Sequence, residues 1–142
     1  MSKGNTFEND LLGLIFNATA IGNIADNAAT SPLTNLYVSL HTSDPGEAGN
    51  QTTNECAYAS YARVAVARTS GGWTITANSV SPTANIDFPA ATGGTETATH
   101  VGIGTDASGT GKLLYYGAIS PNISISTGVT PRIGTGSTIT ED

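Results

Sequence analysis

Apolar and polar positions alternate in twos along most of this chain, and that alternation predicts short strands. Leu36, Val38 and Leu40 interleave with Tyr37, Ser39 and His41, the period that sends neighbouring side chains to opposite faces of a half-buried strand. Val64 and Val66 share a face between Arg63 and Arg68, with both arginines directed outward. Gly71-Gly72 allows a tight return into Trp73-Thr74-Ile75-Thr76, where Trp73 and Ile75 point the same way. The stretch from Asn78 to Pro82 reads as a turn, and Ile86 with Phe88 makes a short strand that Pro89 ends. Thr99, Val101 and Ile103 then alternate with His100, Gly102 and Gly104. A face so poor in side chains predicts something large against it, with Trp73 and Tyr116 the candidates. Residues 106–111 are turn formers and residues 112–119 a returning strand, which together predict a hairpin. Pro121-Asn122 turns the chain before Ile123 and Ile125. Val129, Pro131 and Ile133 add an apolar row, and residues 137–140 add a C-terminal edge.

Only the N-terminal segment changes period. Phe7, Leu11, Leu14, Ile15 and Ala18 follow helical spacing, with Glu8, Asn9, Asp10 and Gly13 on the other side. Asn5 and Glu8 have the spacing of a capping box. A further turn is expected from Ala20 to Asp26, with Ile21 and Ile24 inward, and Thr30-Ser31-Pro32 should end the helical region. Residues 1–4 read as a mobile tail.

About eight short strands at intervals of roughly 8–12 residues mark a sandwich or barrel. The expected fold is mainly β: a single antiparallel β-sandwich over residues 1–142, jelly-roll or immunoglobulin-like in order, with an N-terminal α-helix over one open end. Residues 1–30 form the N-terminal arm and helix, and residues 135–142 a C-terminal arm. Residues 42–60 are the anomaly. They open on a turn, Asp44-Pro45-Gly46, and then carry almost no apolar residue beyond alanine and Cys56. A long exposed loop of this kind in a compact domain is functional or ordered on binding.

Composition sharpens the functional reading. Charged residues are 11% of the chain, against about 25% in ordinary soluble domains. Thr, Ser, Asn and Gly replace them, and neutral hydroxyls and amides cost less to desolvate than Lys or Glu. That suits a surface to be covered by another protein. The formal net charge is −6, with only Lys3, Arg63, Arg68, Lys112 and Arg132 as cations. No basic stripe can be assembled, so nucleic acid is not an expected partner. Cys56 is the only cysteine, which excludes an intrachain disulfide and a cysteine-based zinc site. The apolar run from Leu11 to Phe16 is too short and lacks the basic flank of a signal peptide, and nothing approaches the ~20 apolar residues of a membrane span.

Candidate chemistry is sparse. His41, Asp44 and Glu47, with His100 elsewhere, are the residue types a divalent cation or an acid–base pair needs. The plainer reading ends a strand at His41 and lets the Asp44 carboxylate brace its own turn. There is no Gly-x-Ser-x-Gly elbow, and the Gly102-Ile103-Gly104 and Gly109-Thr110-Gly111 runs lack the lysine and helix of a phosphate loop. Tyr58 and Tyr61 flank the long loop, where aromatics can stack on sugar or anchor a protein contact. The chain therefore reads as a non-enzyme without cofactor or metal. Tyr37, His41, Asp44, Pro45, Tyr58, Tyr61 and Arg63 are its candidate protein-interaction residues.

The run Leu36-Tyr37-Val38-Ser39-Leu40-His41-Thr42-Ser43-Asp44-Pro45-Gly46-Glu47-Ala48-Gly49 resembles a group of small tailed-bacteriophage structural proteins. So do Tyr61-Ala62-Arg63-Val64-Ala65-Val66, Ser81-Pro82 with Ile86-Asp87-Phe88-Pro89, and His100-Val101-Gly102-Ile103-Gly104. The resemblance covers most of residues 8–142 and implies a virion component. Some members are labelled tail-fibre proteins and others head decoration (cement) proteins. Small size, no internal repeat and a charge-poor surface fit the second label. The expectation is a decoration protein on the capsid surface, assembled in the host cytoplasm. It would bind the major capsid protein as a dimer or trimer and stabilise the head by mass action. The alternative is a tail or tail-fibre-associated protein involved in host attachment.

Overall fold

The computed structural model describes residues 5–21 and 32–141. The tail expected at residues 1–4, most of the extra turn expected from Ala20 to Asp26, and the break expected at Thr30-Ser31 lie outside them. Along the chain run α1 (Asn5–Phe16), β1 (Asn35–His41), β2 (Val64–Ala67), β3 (Trp73–Thr76) and β4 (Ser79–Pro82). Then come β5 (Ile86–Asp87), β6 (Glu96–Gly104), β7 (Leu113–Ile125), β8 (Arg132–Ile133) and β9 (Ile139–Thr140). The fold is mainly β and antiparallel, with one short N-terminal helix, in keeping with a β-sandwich-like fold. The sheets have the orders β2-β1-β6-β7, β3-β4-β9 and β5-β8.

Two compact units make up the chain, and each has its own core. The first comprises Met1–Asn35, Val66–Asn85 and Gly134–Asp142. Here α1 packs on β3 and β4. Its buried stripe is Glu8, Leu12 and Phe16, one position round from the expected Phe7–Leu11–Ile15 face; Leu14 and Ile15 are half-buried and Ala18 is exposed. Residues 11, 12, 14, 15 and 16 are all apolar, so periodicity alone does not choose between adjacent faces. Packing chooses: the Phe16 ring meets the buried Trp73 edge-on, centroids 4.8 Å apart and planes at 66°. The helix stops at Phe16, with Ala18 at φ 53 and the Gly13 carbonyl accepting from both Asn17 and Thr19.

Arg68 closes that helix end. Its Nε donates to the Ile15 carbonyl at 2.7 Å, one Nη to Leu14 O at 2.7 Å and the other to Leu33 O at 2.7 Å. The last carbonyls of a helix have no partner within it, and a guanidinium at that end also meets the negative pole of the helix. The arginine expected to point outward is therefore a helix cap.

The expected turn from Asn78 to Pro82 is tighter than that. Thr76 pairs with Ser79, leaving Ala77 and Asn78 as a two-residue turn with Ala77 at φ 51, and Ser79–Pro82 is a strand. The C-terminal residues complete this sheet. Ile139 and Thr140 pair with Val80 and Ser79, Asn78 Nδ2 donates to Glu141 O at 2.9 Å, and Glu141 N donates to Asn78 O at 2.9 Å.

The second unit comprises Leu36–Ala65 and Ile86–Ile133. β1 runs antiparallel to β6, which runs antiparallel to β7 as the expected hairpin. Leu36, Val38 and Leu40 are fully buried, at about 2 kcal/mol each by area. β7 is longer than the sequence suggests. The register passes from Ala98↔Ile123 to His100↔Ala118, so residues 119–122 bulge out and the strand continues. Pro121 sits in that bulge on the outermost strand, the place where a sheet tolerates a missing N–H.

Candidate functional site

Directly paired residues in antiparallel strands face the same way, so Ser39, Gly102 and Tyr116 share one face of the sheet with His41, His100 and Ala118. Alternation predicts that this face of β1 looks outward. Instead Ser39 and His41 are fully buried. Residues 42–60 pack over them through Gln51 and the Thr53 carbonyl, while Thr42, Ser43, Asp44, Glu47 and Ala48 stay exposed.

The small residues of β6 make this possible. A Cβ at Gly102 would sit 2.6 Å from His41 Nε2 and 2.7 Å from Ser39 Oγ; one at Gly104 would sit 2.2 Å from Gln51 Cδ. The nearest bulk at Gly102 and Gly104 comes from Ser39, His41, Leu113 and Gln51, and Tyr116, one of the two residues expected there, is the direct cross-strand neighbour of Gly102. Gln51 is fully buried and pairs with Asp106 as a strand would. Its Nε2 donates to Asp106 O at 3.2 Å and its Oε1 accepts from Asp106 N at 2.9 Å. Gly104→Ala should therefore cost about 1–3 kcal/mol in urea unfolding, by overpacking. The same change should cost less in a Gln51→Ala background, because the two sites are coupled.

Further anchors fix the rest of the loop. Asp44 Oδ1 accepts from Gly46 N at 2.8 Å, bracing the turn as expected, and Asn54 Nδ2 donates to Asp44 O. The Glu55 carboxylate accepts from Arg63 Nε at 2.7 Å, from an Arg63 Nη at 2.8 Å and from the Tyr61 hydroxyl at 2.8 Å. Arg63 also donates to the carbonyls of Asp106 and Gly109 in the β6–β7 turn. The Glu96 carboxylate accepts from the backbone N–H groups of Ala57 and Tyr58. The thiol of buried Cys56 is pushed up to about 12, first by burial and then by Glu96. A nucleophilic thiolate requires the opposite shift.

The aromatic residues belong to the same framework. Tyr58 is buried, donates to Pro89 O at 2.9 Å, and its phenol is raised to about 12 by burial. Tyr61 meets Tyr58 edge-on at 5.3 Å, stacks on Phe88 at 6.3 Å, and accepts from Leu40 N at 3.0 Å. Of the seven residues singled out from sequence, His41, Pro45 and Tyr58 are buried, and Tyr37, Tyr61 and Arg63 are half-buried as whole residues, with the Arg63 side chain itself almost wholly covered. Asp44 alone presents an exposed side chain, beside exposed Glu47. Tyr116 is 38% exposed, and local desolvation with the Asp44 and Glu47 carboxylates raises its phenol. Sequence reasoning passed over Gln51, Glu55 and Glu96. The one available signal was the glycine pair Gly104 and Gly111, whose missing side chains make room for Gln51.

Ser39 Oγ and His41 Nε2 lie 2.9 Å apart, the contact a nucleophile makes with its base. Here the contact is sealed. His41 Nδ1 is 2.8 Å from the Thr53 carbonyl, which can only accept, so Nδ1 carries the proton and Nε2 accepts from the Ser39 hydroxyl. Among the described residues the ring nitrogens meet Ser39 and the Thr53 carbonyl and no carboxylate, and neither side chain reaches solvent. Burial is the main cause of the lowered pKa of His41. Among the described residues no three His, Cys, Asp or Glu side chains are placed to hold a metal ion, and no helix is long and apolar enough to cross a membrane.

What this arrangement offers is a pre-organised surface: a loop pinned from beneath by buried polar side chains, with Thr42, Ser43, Asp44, Glu47 and Ala48 exposed along it. No curated protein matches the chain. A family model does, over residues 2–141. With nearly its whole length matched, the chain belongs to the bacteriophage structural family described as podophage GP4 fiber I protein gp80.

Proposed function

We propose that this protein is a fibre component of a podophage tail, involved in host attachment and working by protein contact without catalysis. The observation that carries this reading is the match of residues 2–141 to a fibre family. The charge-poor surface and small size fit a head-decoration protein equally well, so they do not discriminate. The fibre description does, and it favours the tail alternative over a clamp on the major capsid protein. A loop ordered in advance by Gln51, Glu55 and Glu96 supports a binding role, because little ordering entropy is left to lose on association. The partners put forward are other fibre or tail proteins and further copies of this chain, with neither nucleic acid nor membrane among them.

Deleting the coding sequence from the phage tests this. The expected particles have full heads of unchanged thermal stability and adsorb poorly to host cells. Particles that adsorb normally while their heads burst at lower temperature would overturn the reading.

A further inference from the structure

We propose that His41 makes the 42–60 loop an acid-released latch, in which protonation of a sealed imidazole loosens the loop's hold on the sheet. The ring joins the two. It belongs to β1, its Nδ1–H is held by the loop's Thr53 carbonyl at 2.8 Å, and its backbone bridges to Glu55. The lone pair on Nε2 is filled by the Ser39 hydroxyl at 2.9 Å. Gly102 lies so close behind that even a Cβ would come within 2.6 Å of Nε2. A proton arriving at Nε2 therefore turns the Ser39 hydroxyl round and places a charge where the ring has no exposure to solvent.

The charged neighbours do not rescue it. Glu55, on the loop, favours the charged ring, but its carboxylate already accepts from Arg63 and Tyr61. Arg63 and His100, the latter the direct cross-strand partner of His41, oppose the charge. Burial is the largest influence, and it holds the folded imidazole below its ordinary value. In an opened loop the ring regains that ordinary value, about 6.5. The latch is therefore at full strength above it. It weakens as pH falls through that value towards the lower folded one, because the open form then binds more protons. The surface carried by the loop would be firm at neutral pH and loosened in acid.

Amide hydrogen exchange by NMR reads this directly. Thr42 N, Gln51 N and Cys56 N donate to Asn54 O, Thr110 O and Leu40 O and report on docking; Phe88 N, donating to Pro131 O, is the control. Corrected for intrinsic rates, protection of the first three should fall about tenfold between pH 7.5 and 5, while the control holds. His41→Asn keeps a donor towards Thr53 without the titration, and should flatten the response. Protection that stays level down to pH 5, or an equal fall in His41→Asn, would overturn the latch. Should that variant not fold, the wild type decides: the loss of protection must set in near the ordinary histidine value and level off at the midpoint of the folded imidazole's own titration, and a loss that sets in elsewhere or runs on past that midpoint overturns the proposal.

Discussion

Arg63→Ala should lower the stability of the protein by about 3–5 kcal/mol, the cost of leaving one partner of a buried ion pair without the other. The Arg63 side chain is 3% exposed and that of Glu55 14%, so the ion pair itself is little hydrated, although the Asp106 and Gly109 carbonyls belong to exposed residues that water can reach. Three separate acceptors lose their donor at once: the Glu55 carboxylate in the loop and the Asp106 and Gly109 carbonyls in the β6–β7 turn. Most small domains have only about 5–15 kcal/mol in total, so a loss of this size moves a urea midpoint by a large fraction of its value. Arg63→Lys should recover only part of the loss. It restores the charge, but a single ammonium cannot serve a carboxylate in two-pronged fashion and two carbonyls as well. If the arginine variants shift the midpoint no more than a surface substitution does, the loop is not held in the way described.

The second large effect belongs to the other unit. Trp73→Ala should cost about 3–5 kcal/mol, because it opens a cavity under α1 and removes the ring on which Phe16 packs. The helix is short and carries Gly13 in its last turn, and such a helix persists only while its buried face is docked. Helical circular dichroism should therefore be lost at lower denaturant in the variant. Trp73→Phe should keep most of the stability, since it leaves an aromatic partner for Phe16. The indole Nε1 has no hydrogen-bond partner among the described residues, so the substitution forfeits none of that kind.

These two sites show what was legible in the chain and what was not. The period of two in residues 36–41 and 99–104 located β1, β6 and their neighbours, and the turn formers at residues 106–111 located the hairpin. Period says which side chains share a face, but not which face another part of the chain will cover. Hence Ser39 and His41 read as exposed and are buried, and α1 turns by one position. Turn residues mislead in a related way. Ser81-Pro82 resembles a turn yet ends a strand, while Ala77, which carries no turn signal, is the residue at positive φ. The candidate site was hardest to read, because its anchors are long-range. Arg63 reaches Gly109, and Glu96 reaches Ala57, pairings that no local spacing announces. The loop's lack of apolar residues predicts exposure, and its outer residues are exposed. What holds it to the sheet is polar: Gln51, Glu55 and the His41 ring are satisfied one by one against backbone and charge.

The proposed place of this phage structural protein in the tail fibres is tested most directly by its position on the particle. Gold-labelled antibody against the protein, imaged by electron microscopy on intact particles, should decorate the fibres at the tail and leave the head bare. Label spread over the capsid lattice, with none at the tail, would contradict it.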